Sequence, residues 1–235
     1  MRHRLPAAAC AAALLLAAPL AAQGPTISAT RAGDPRGVFV NGHVAGVQFK
    51  PDEADAESEY GVGAGVQAGF NLTRYLGVYG AFDLASIGAE GGTIADDELG
   101  TSLEIDDRAR LTQFEVGGRL NVPIGQRLLP YLDVAWARRT VRQEFSLEGG
   151  GGVGGGDGSL TLRGNAIVVG LGFQYFVRPT VAFDLGGRLS TGSYDELEAE
   201  FGGESETSDE EIDAEAQVGR LTAGLTWYPG GFGRR

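Results

Sequence analysis

The chain has 235 residues, of which 39 are glycine and 43% are hydrophobic, and this length suits a single domain. Its formal charge of −12 and its isoelectric point near 4.6 exclude a generic nucleic-acid-binding protein, which needs a basic surface. Its one cysteine, Cys10, lies close to the start of the chain, so a fold built on disulfides or on cysteine-bound metal is also excluded.

The first 22 residues are predicted to be a secretory signal peptide. Residues 1–4 are basic, residues 6–20 are rich in alanine and leucine, and two small residues follow at Ala21 and Ala22. A short transmembrane anchor is disfavoured, because the apolar stretch is short for a membrane helix and no charged flank follows it. We therefore divide the chain into a signal peptide (1–22), an N-terminal extension (23–37), a β-domain (38–228) and a short tail (229–235).

Eight β-strands are predicted after the signal, because apolar residues alternate with small or polar ones at a period of two. The even number of strands and their hairpin spacing indicate an antiparallel meander. The predicted strands cover residues 38–49, 60–70, 76–86, 109–122, 131–145, 160–176, 180–190 and 216–228.

The connections between these strands alternate between short and long. The short ones, at residues 71–75, 123–130 and 177–179, each contain one arginine. The long ones hold 25 of the 31 acidic residues of the chain and cover residues 50–59, 87–108, 146–159 and 191–215. The predicted sheet therefore has tight turns at one end and long acidic loops at the other.

Each predicted strand has one bulky apolar face and one face of small or charged residues. In the fourth strand, for example, Phe114 and Val116 flank Glu115. A closed barrel of eight strands has an interior just wide enough for side chains, which suits the small and charged face. The bulky face must then point outward, as lipid requires. The sequence thus predicts an all-β fold, an eight-stranded antiparallel up-and-down transmembrane β-barrel over residues 38–228.

The predicted lumen holds as many acidic residues as arginines. Buried charges are tolerated when they are paired and hydrogen-bonded, which favours a structural plug of ion pairs. The alternative is the charged constriction of a conducting pore. The predicted lumen polar network consists of Gln67, Asp83, Glu115, Arg119, Asp133, Arg139, Gln174, Asp184, Arg188 and Arg220.

Aromatic residues collect beside the short turns, where a membrane protein carries an interfacial belt. Core packing is the alternative explanation for any one of them, and their shared position near the turns favours the belt. The predicted aromatic belt consists of Phe70, Tyr75, Tyr131, Tyr175, Phe176, Trp227 and Tyr228.

These features resemble the small outer-membrane β-barrel proteins, the family of the OmpA transmembrane domain and of OmpX. The resemblance rests on the signal peptide, on strands such as NAIVVGLGFQYF and RLTAGLTWYP, on short arginine-bearing turns such as NLTRY, and on the long acidic loops. It implies insertion into a Gram-negative outer membrane, with short turns in the periplasm and long loops outside the cell. The implied partners are the lipid bilayer, lipopolysaccharide and the barrel-insertion machinery, with no nucleic acid.

No catalytic site, cofactor site or metal centre is predicted. His43 is the only histidine after the signal, and a lone strand histidine is more often packed or lumen-facing than a catalytic base. No GxSxG motif accompanies it, so we expect no enzymatic activity. The acidic stretches at residues 51–59 and 195–215 lack the spacing of an EF-hand. We expect solvated, self-repelling loops there, with weak association of divalent cations at the cell surface as the alternative.

The glycine-rich run GGGGVGGGDG, residues 149–158, raises the question of a cofactor loop. It lacks the lysine and the following helix of a phosphate-binding loop, and GVGGGD at residues 152–157 is a single imperfect copy of a calcium-binding repeat. We predict the tip of an external hairpin. The predicted function is a structural or cell-surface interaction role; the alternatives are a narrow solute or ion pore and a soluble periplasmic barrel, lipocalin-like, that binds an apolar ligand.

Overall fold

The computed structural model describes residues 35–51, 58–88, 92–96, 101–124, 127–149, 156–201, 204–208 and 214–229. The predicted signal peptide, most of the predicted extension and the end of the predicted tail lie outside these residues. In the part of the chain that is described, no helix has the length and apolar character needed to span a membrane. The strands are β1 Gly37–Pro51, β2 Glu59–Asn71, β3 Leu76–Gly88, β4 Gly92–Asp96, β5 Thr101–Asn121, β6 Leu128–Gly149, β7 Gly156–Arg178, β8 Val181–Phe201, β9 Glu204–Ser208 and β10 Ala214–Trp227.

Eight of these strands close into an antiparallel ring in the order β1, β2, β3, β5, β6, β7, β8, β10. The ring closes because β10 pairs with β1 on one side, where Val40 lies opposite Trp227, and with β8 on the other, where Leu185 lies opposite Ala223. The two short strands β4 and β9 pair with β5 and β8 and lengthen two hairpins. The predicted eight-stranded antiparallel barrel is confirmed.

The ring has short connections at one end, which we call the turn end. Between β2 and β3, the Thr73 hydroxyl accepts hydrogen bonds from the backbone amides of Tyr75 (3.1 Å) and Leu76 (2.9 Å), which fixes a tight turn. Between β7 and β8, only Pro179 and Thr180 separate the strands, and proline is suited to such a turn. These turns keep adjacent strands in antiparallel contact.

At the opposite end, the hairpin end, the strands run further than predicted. β6 extends to Gly149 and β7 begins at Gly156, so residues 149 and 156–158 of the glycine-rich run lie in strands. These two strands pair as a hairpin, and the intervening residues 150–155 lie outside the described part of the chain.

The prediction of a solvated loop at residues 195–215 is partly wrong. β8 continues to Phe201 and pairs there with β9, so residues 195–201 and 204–208 form a hairpin. Leu197, Ala199 and Phe201 alternate here with three glutamates, so the period of two that indicates a strand is present, and it is the high acidic content that suggests a loop. Arginines opposite these acids also reduce the expected self-repulsion, as the ion pair of Arg163 with Glu198 at 2.7 Å shows. The acidic connection at residues 87–108 is likewise partly a hairpin, because β4 pairs with β5 over residues 92–96 and 101–105. Residues 52–57 and 209–213 lie outside the described residues.

The bulky apolar residues face outward all around the ring. Val116 and Leu185 are 52% and 51% exposed, whereas Glu115, the neighbour of Val116, is fully buried. A soluble barrel that binds an apolar ligand needs the opposite arrangement, with a polar exterior. The lipocalin-like alternative is therefore wrong.

The interior is filled in three layers along the barrel axis. At the turn end lies an aromatic plug, a buried cluster centred on Phe39, Tyr79, Phe176 and Tyr228. At the hairpin end lies an apolar cap formed by Ala45, Val47, Ala85, Ile87, Leu111 and Val218. Polar and charged residues occupy the layer between them.

Candidate functional site

The polar layer of the lumen contains all ten residues of the predicted network, and each of them is less than 9% exposed. Nine of the ten are joined by continuous hydrogen bonds and ion pairs, through a few further side chains. With these further side chains included, every strand of the ring contributes a residue to the network, because every second residue of a strand points inward.

Arg119 and Asp133 form the tightest pair of this layer. The guanidinium donates from Nε to Oδ1 (2.7 Å) and from Nη2 to Oδ2 (2.8 Å) of the carboxylate, a two-pronged geometry typical of strong arginine pairs. Nη2 also donates to Oε1 of Gln67 at 3.1 Å. The guanidinium lies 3.9 Å from the centre of the Tyr131 ring, which adds a cation–π contact. Arg119 is thus held by three residues and is almost completely buried.

Glu115 accepts from two arginines at the centre of the barrel. Arg188 donates from Nη1 to Oε2 at 3.1 Å, and Arg220 donates from Nη2 to Oε1. Arg188 also reaches Asp133, with Nη2 and Oδ2 separated by 3.2 Å. The two carboxylates and the arginines between them therefore form one chain of ion pairs across the lumen.

Asp83 continues this chain toward β1. Its Oδ2 lies 2.8 Å from Nη1 of Arg220, and its Oδ1 lies 2.7 Å from Nε2 of His43. The other ring nitrogen of His43 lies 2.9 Å from Oδ1 of Asn41, whose amide donates to the hydroxyl of Thr226 at 2.9 Å. His43 is lumen-facing, one of the two positions expected for it.

Asp184 differs from the other three acids because its hydrogen-bond donors are neutral. It accepts from the hydroxyl of Tyr131 (2.7 Å), the amide of Gln174 (2.8 Å) and the hydroxyl of Thr226 (3.2 Å). Within the described residues, no arginine lies within ion-pair distance of it. The predicted plug of ion pairs therefore does not extend to this residue.

Arg139 is the corresponding exception among the arginines. Its Nη1 and Nη2 donate to the backbone carbonyl of Ala216 at 3.2 and 3.3 Å, and its guanidinium lies 5.1 Å from the ring centre of Tyr194. No acidic side chain of the described chain contacts it. Arg139 lies in the lumen as predicted, but it lies outside the ion-pair network. It is closer to the hairpin end of the barrel, where the side chains around it are apolar or carry hydroxyl groups.

The predicted aromatic belt divides into two groups. Four members, Phe70, Tyr75, Tyr175 and Trp227, are 42–53% exposed on the outside near the turn end. The other three belong to the interior and correct the prediction: Tyr131, Phe176 and Tyr228 are less than 9% exposed.

The physical reason is strand alternation, since adjacent residues point to opposite faces. Tyr175 and Trp227 face outward, so Phe176 and Tyr228, which follow them, must face inward. Inside, these two rings lie 5.4 Å apart between centres, and the Tyr228 hydroxyl donates to Oε1 of Gln174. The inward aromatics therefore close the turn end of the lumen.

Sequence reasoning missed three residues that connect the network. Asn41 and Thr226 bridge the charged centre to Gln174 and Asp184, and the Tyr79 ring lies 5.5 Å from the Arg188 guanidinium. For Tyr79 the sequence does contain a signal, since strand alternation places it on the same face of its strand as the predicted lumen residue Asp83.

The lumen is densely filled. A cavity of about 10 Å³ lies against Asp83, Gln113 and Arg220, beneath the apolar cap, and this volume holds at most one water molecule. Among the described residues there is no group of three histidine, cysteine or acidic side chains that could hold a metal ion. The contacts of the polar layer neutralise buried charges against one another, and they connect strands that are not neighbours in the ring.

The sequence profile described as the outer membrane protein beta-barrel domain matches residues 8–227. The chain is similar to several solved structures. Neisserial surface protein A (NspA) is 16% identical, with 81% of this chain and 96% of that chain covered and a TM-score of 0.48. Ail, the attachment invasion locus protein of Yersinia pestis, is 14% identical, with coverage of 82% and 99% and a TM-score of 0.46. The N-terminal β-barrel domain of Pseudomonas aeruginosa OprF is 11% identical, with coverage of 80% and 97% and a TM-score of 0.34. A search of curated protein sequences finds no significant match.

Proposed function

Because the chain belongs to the outer membrane protein β-barrel family and so resides in the outer membrane of a Gram-negative bacterium, we propose that it is a closed barrel with a structural or cell-surface interaction role. In this proposal the short turns face the periplasm, the hairpins and their acidic segments face the exterior, and residues 1–22 direct secretion. Lipopolysaccharide and the barrel-insertion machinery are its proposed partners.

The single observation that carries this proposal is the filled lumen. The aromatic plug closes the turn end, the ion-pair chain of Arg119, Asp133, Arg188 and Glu115 crosses the middle, and the apolar cap closes the hairpin end. A conducting pore needs a continuous water path, whereas these side chains contact one another. The filled interior therefore favours a scaffold that presents its hairpins over a solute pore.

The surroundings of His43 support a role without catalysis. Both of its ring nitrogens are engaged by Asp83 and Asn41 inside the barrel, away from the outer leaflet where a lipid substrate would lie. A catalytic base must reach the proton that it removes. We propose that His43 is a structural member of the network.

Bilayer recordings test the proposal. The mature chain is refolded in detergent, its barrel state is checked by the change in gel migration on boiling, and it is then inserted in a planar bilayer beside a known porin as positive control. We expect no resolved single-channel steps. Regular conductance steps that scale with protein insertion would refute the closed-barrel proposal and favour the narrow pore.

The proposed orientation is tested separately on whole cells. A protease site is inserted between residues 150 and 155, and a second variant carries the same site after Thr73 in a turn. We expect external protease to cleave the first variant only. Cleavage of the Thr73 variant alone in intact cells would show the opposite orientation.

A further inference from the structure

Five arginines form a cationic strip on the outside of the barrel toward the hairpin end. They share the outward face with the apolar residues, as the exposed positions Phe114 and Arg110 on one strand show. We call this set the outer arginine strip; it consists of Arg108 and Arg110 on β5, Arg138 and Arg142 on β6, and Arg163 on β7.

The height of the strip corresponds to the edge of a membrane. Leu120 and Leu132 are opposed outward residues near the turn end, and Arg110 and Arg142 are opposed residues ten positions further along the same two strands. With a rise of about 3.3 Å per residue and a tilt of about 40°, ten residues span about 25 Å along the barrel axis. The apolar band of an outer-membrane barrel is about 25 Å tall. The two arginines therefore lie at the level of lipid headgroups on the hairpin side.

Two of the five arginines are already neutralised by the protein. Arg138 pairs with Glu196 at 2.8 Å, and Arg163 pairs with Glu198 at 2.7 Å. Both acids lie on β8, where Glu196 is directly opposite Arg163 of β7. Arg163 therefore has its counter-charge on the neighbouring strand, whereas Arg138 on β6 reaches across β7 to Glu196.

Arg110 and Arg142 have no such close counter-charge among the side chains that the structure describes. Arg110 and Arg142 lie directly opposite each other on paired strands, an arrangement that is destabilising for like charges. The Arg142 guanidinium lies 3.8 Å from Glu144 and 3.9 Å from Glu200, both longer than a charge-assisted hydrogen bond. No acid whose side chain the structure describes contacts Arg110. Two exposed arginines thus lie side by side, and neither has a described counter-charge within hydrogen-bond distance.

We propose that Arg110 and Arg142 bind a phosphate group of a phosphorylated glycolipid in the leaflet on the hairpin side. An anion between them converts a repulsive contact into two charge-assisted ones, and the planar fork of arginine matches phosphate oxygens. The height at the apolar edge selects a lipid phosphate over a soluble one, because the acyl chains of the same molecule can cover the apolar residues below. The inference rests on the proposed function, since it requires the hairpin end to face a leaflet of phosphorylated glycolipid.

The test uses the refolded mature chain in mixed micelles with bis-phosphorylated lipid A as the probe. Binding is measured by native mass spectrometry as a function of lipid A concentration for the wild type, for R110Q/R142Q and for R127Q/R178Q. The last variant is the matched control, since it removes the same charge from the turn end. Dephosphorylated lipid A and inorganic phosphate are titrated in parallel.

We expect R110Q/R142Q to bind lipid A at least about tenfold more weakly than the wild type, because charge-assisted hydrogen bonds are lost. The control should stay within about twofold of the wild type, and dephosphorylated lipid A should bind as weakly to the wild type as lipid A binds to R110Q/R142Q. Equal affinity of R110Q/R142Q and the wild type for lipid A would overturn the inference. Inorganic phosphate that binds as tightly as lipid A would overturn the assignment to a lipid.

Failure of the inference is distinguishable from failure of the proposed function. A wild type that shows no heat-dependent gel migration, or that is recovered from the soluble periplasm, contradicts the outer-membrane proposal itself. A folded, membrane-resident barrel that binds both forms of lipid A equally contradicts only the phosphate site.

Discussion

Replacement of Asp133 by asparagine provides the sharpest test of the ion-pair chain. Asp133 is fully buried and accepts three charge-assisted hydrogen bonds, two from Arg119 and one from Arg188. The asparagine keeps the shape of the side chain but removes its charge, and it leaves both guanidiniums short of an acceptor. Loss of one partner from a buried ion pair costs about 3–5 kcal/mol, so we expect the free energy of unfolding to fall by that amount.

Asp184→Asn is the matched control, because it is the same substitution at another buried acid of the lumen. The donors to Asp184 are the neutral side chains of Tyr131, Gln174 and Thr226, so no arginine loses its partner. Hydrogen bonds to a carboxylate contribute about 1.5–3 kcal/mol each, but the asparagine keeps one oxygen that can accept from these donors, so only part of this energy is lost. We expect a loss of about 1–2 kcal/mol for this variant.

The assay is equilibrium unfolding by urea in lipid vesicles, with tryptophan fluorescence as the signal and linear extrapolation to zero denaturant. Both variants are first checked for the folded form by gel migration without boiling. The reasoning is refuted if Asp184→Asn destabilises the barrel as much as Asp133→Asn does, since the contacts with arginine would then contribute nothing specific.

Three further predictions concern the outer face, the packing of the lumen and the aromatic plug. Leu185→Arg places a charge against lipid and should lower the free energy of unfolding by about 2–4 kcal/mol, whereas Val122→Arg at the turn end should cost about 0–1 kcal/mol; equal costs in vesicle unfolding would contradict a membrane-depth effect. At Gly172 a methyl group would come within 2.6 Å of a buried tyrosine ring carbon, so Gly172→Ala should destabilise by about 1–3 kcal/mol. The outward Gly118→Ala, with 3.9 Å to its nearest neighbour, should stay within about 0.5 kcal/mol, and the reverse order would disprove the face assignment. Tyr228→Phe removes the donor to an amide oxygen and should cost about 1 kcal/mol in the same assay, while an unchanged midpoint would show that the hydroxyl is dispensable.

The faces of the ring strands could be predicted from the sequence because one side of each strand meets lipid and the other meets a narrow lumen. This constraint holds only within the membrane, which is why Glu115 and Val116 were assigned correctly while the outer part of β8 was not. In the outer part of β8, three glutamates still alternate with Leu197, Ala199 and Phe201, but so high an acidic content is also typical of a solvated loop. Backbone pairing there is visible only in the structure.

The contacts between lumen side chains could not be predicted from the sequence. Strand alternation gives the direction in which a side chain points, but it gives no distance to a partner. Arg139 and Arg188 both point inward, yet only Arg188 reaches acidic side chains, since contact depends on the height of each residue along a tilted strand. The three aromatic residues that were assigned to the belt show a different error. Nearness to a turn gives only the height of a residue along the barrel, whereas strand alternation gives its face and places Phe176 and Tyr175 on opposite faces.

The contacts of Arg220 bear on how the last strand finds its place during assembly. β10 pairs with β1 and β8, but Arg220 reaches across the interior to Asp83 on β3 and Glu115 on β5. A slip of β10 by two residues preserves its apolar pattern and its backbone hydrogen bonds. Neither contact with lipid nor strand pairing therefore disfavours the slipped register. The same slip carries the guanidinium about 7 Å from both carboxylates, which leaves Arg220 without a counter-charge and Asp83 and Glu115 with one partner fewer each. The interior charges thus favour the correct register of β10 when the barrel closes. They disfavour a two-residue slip, which the hydrophobic pattern tolerates.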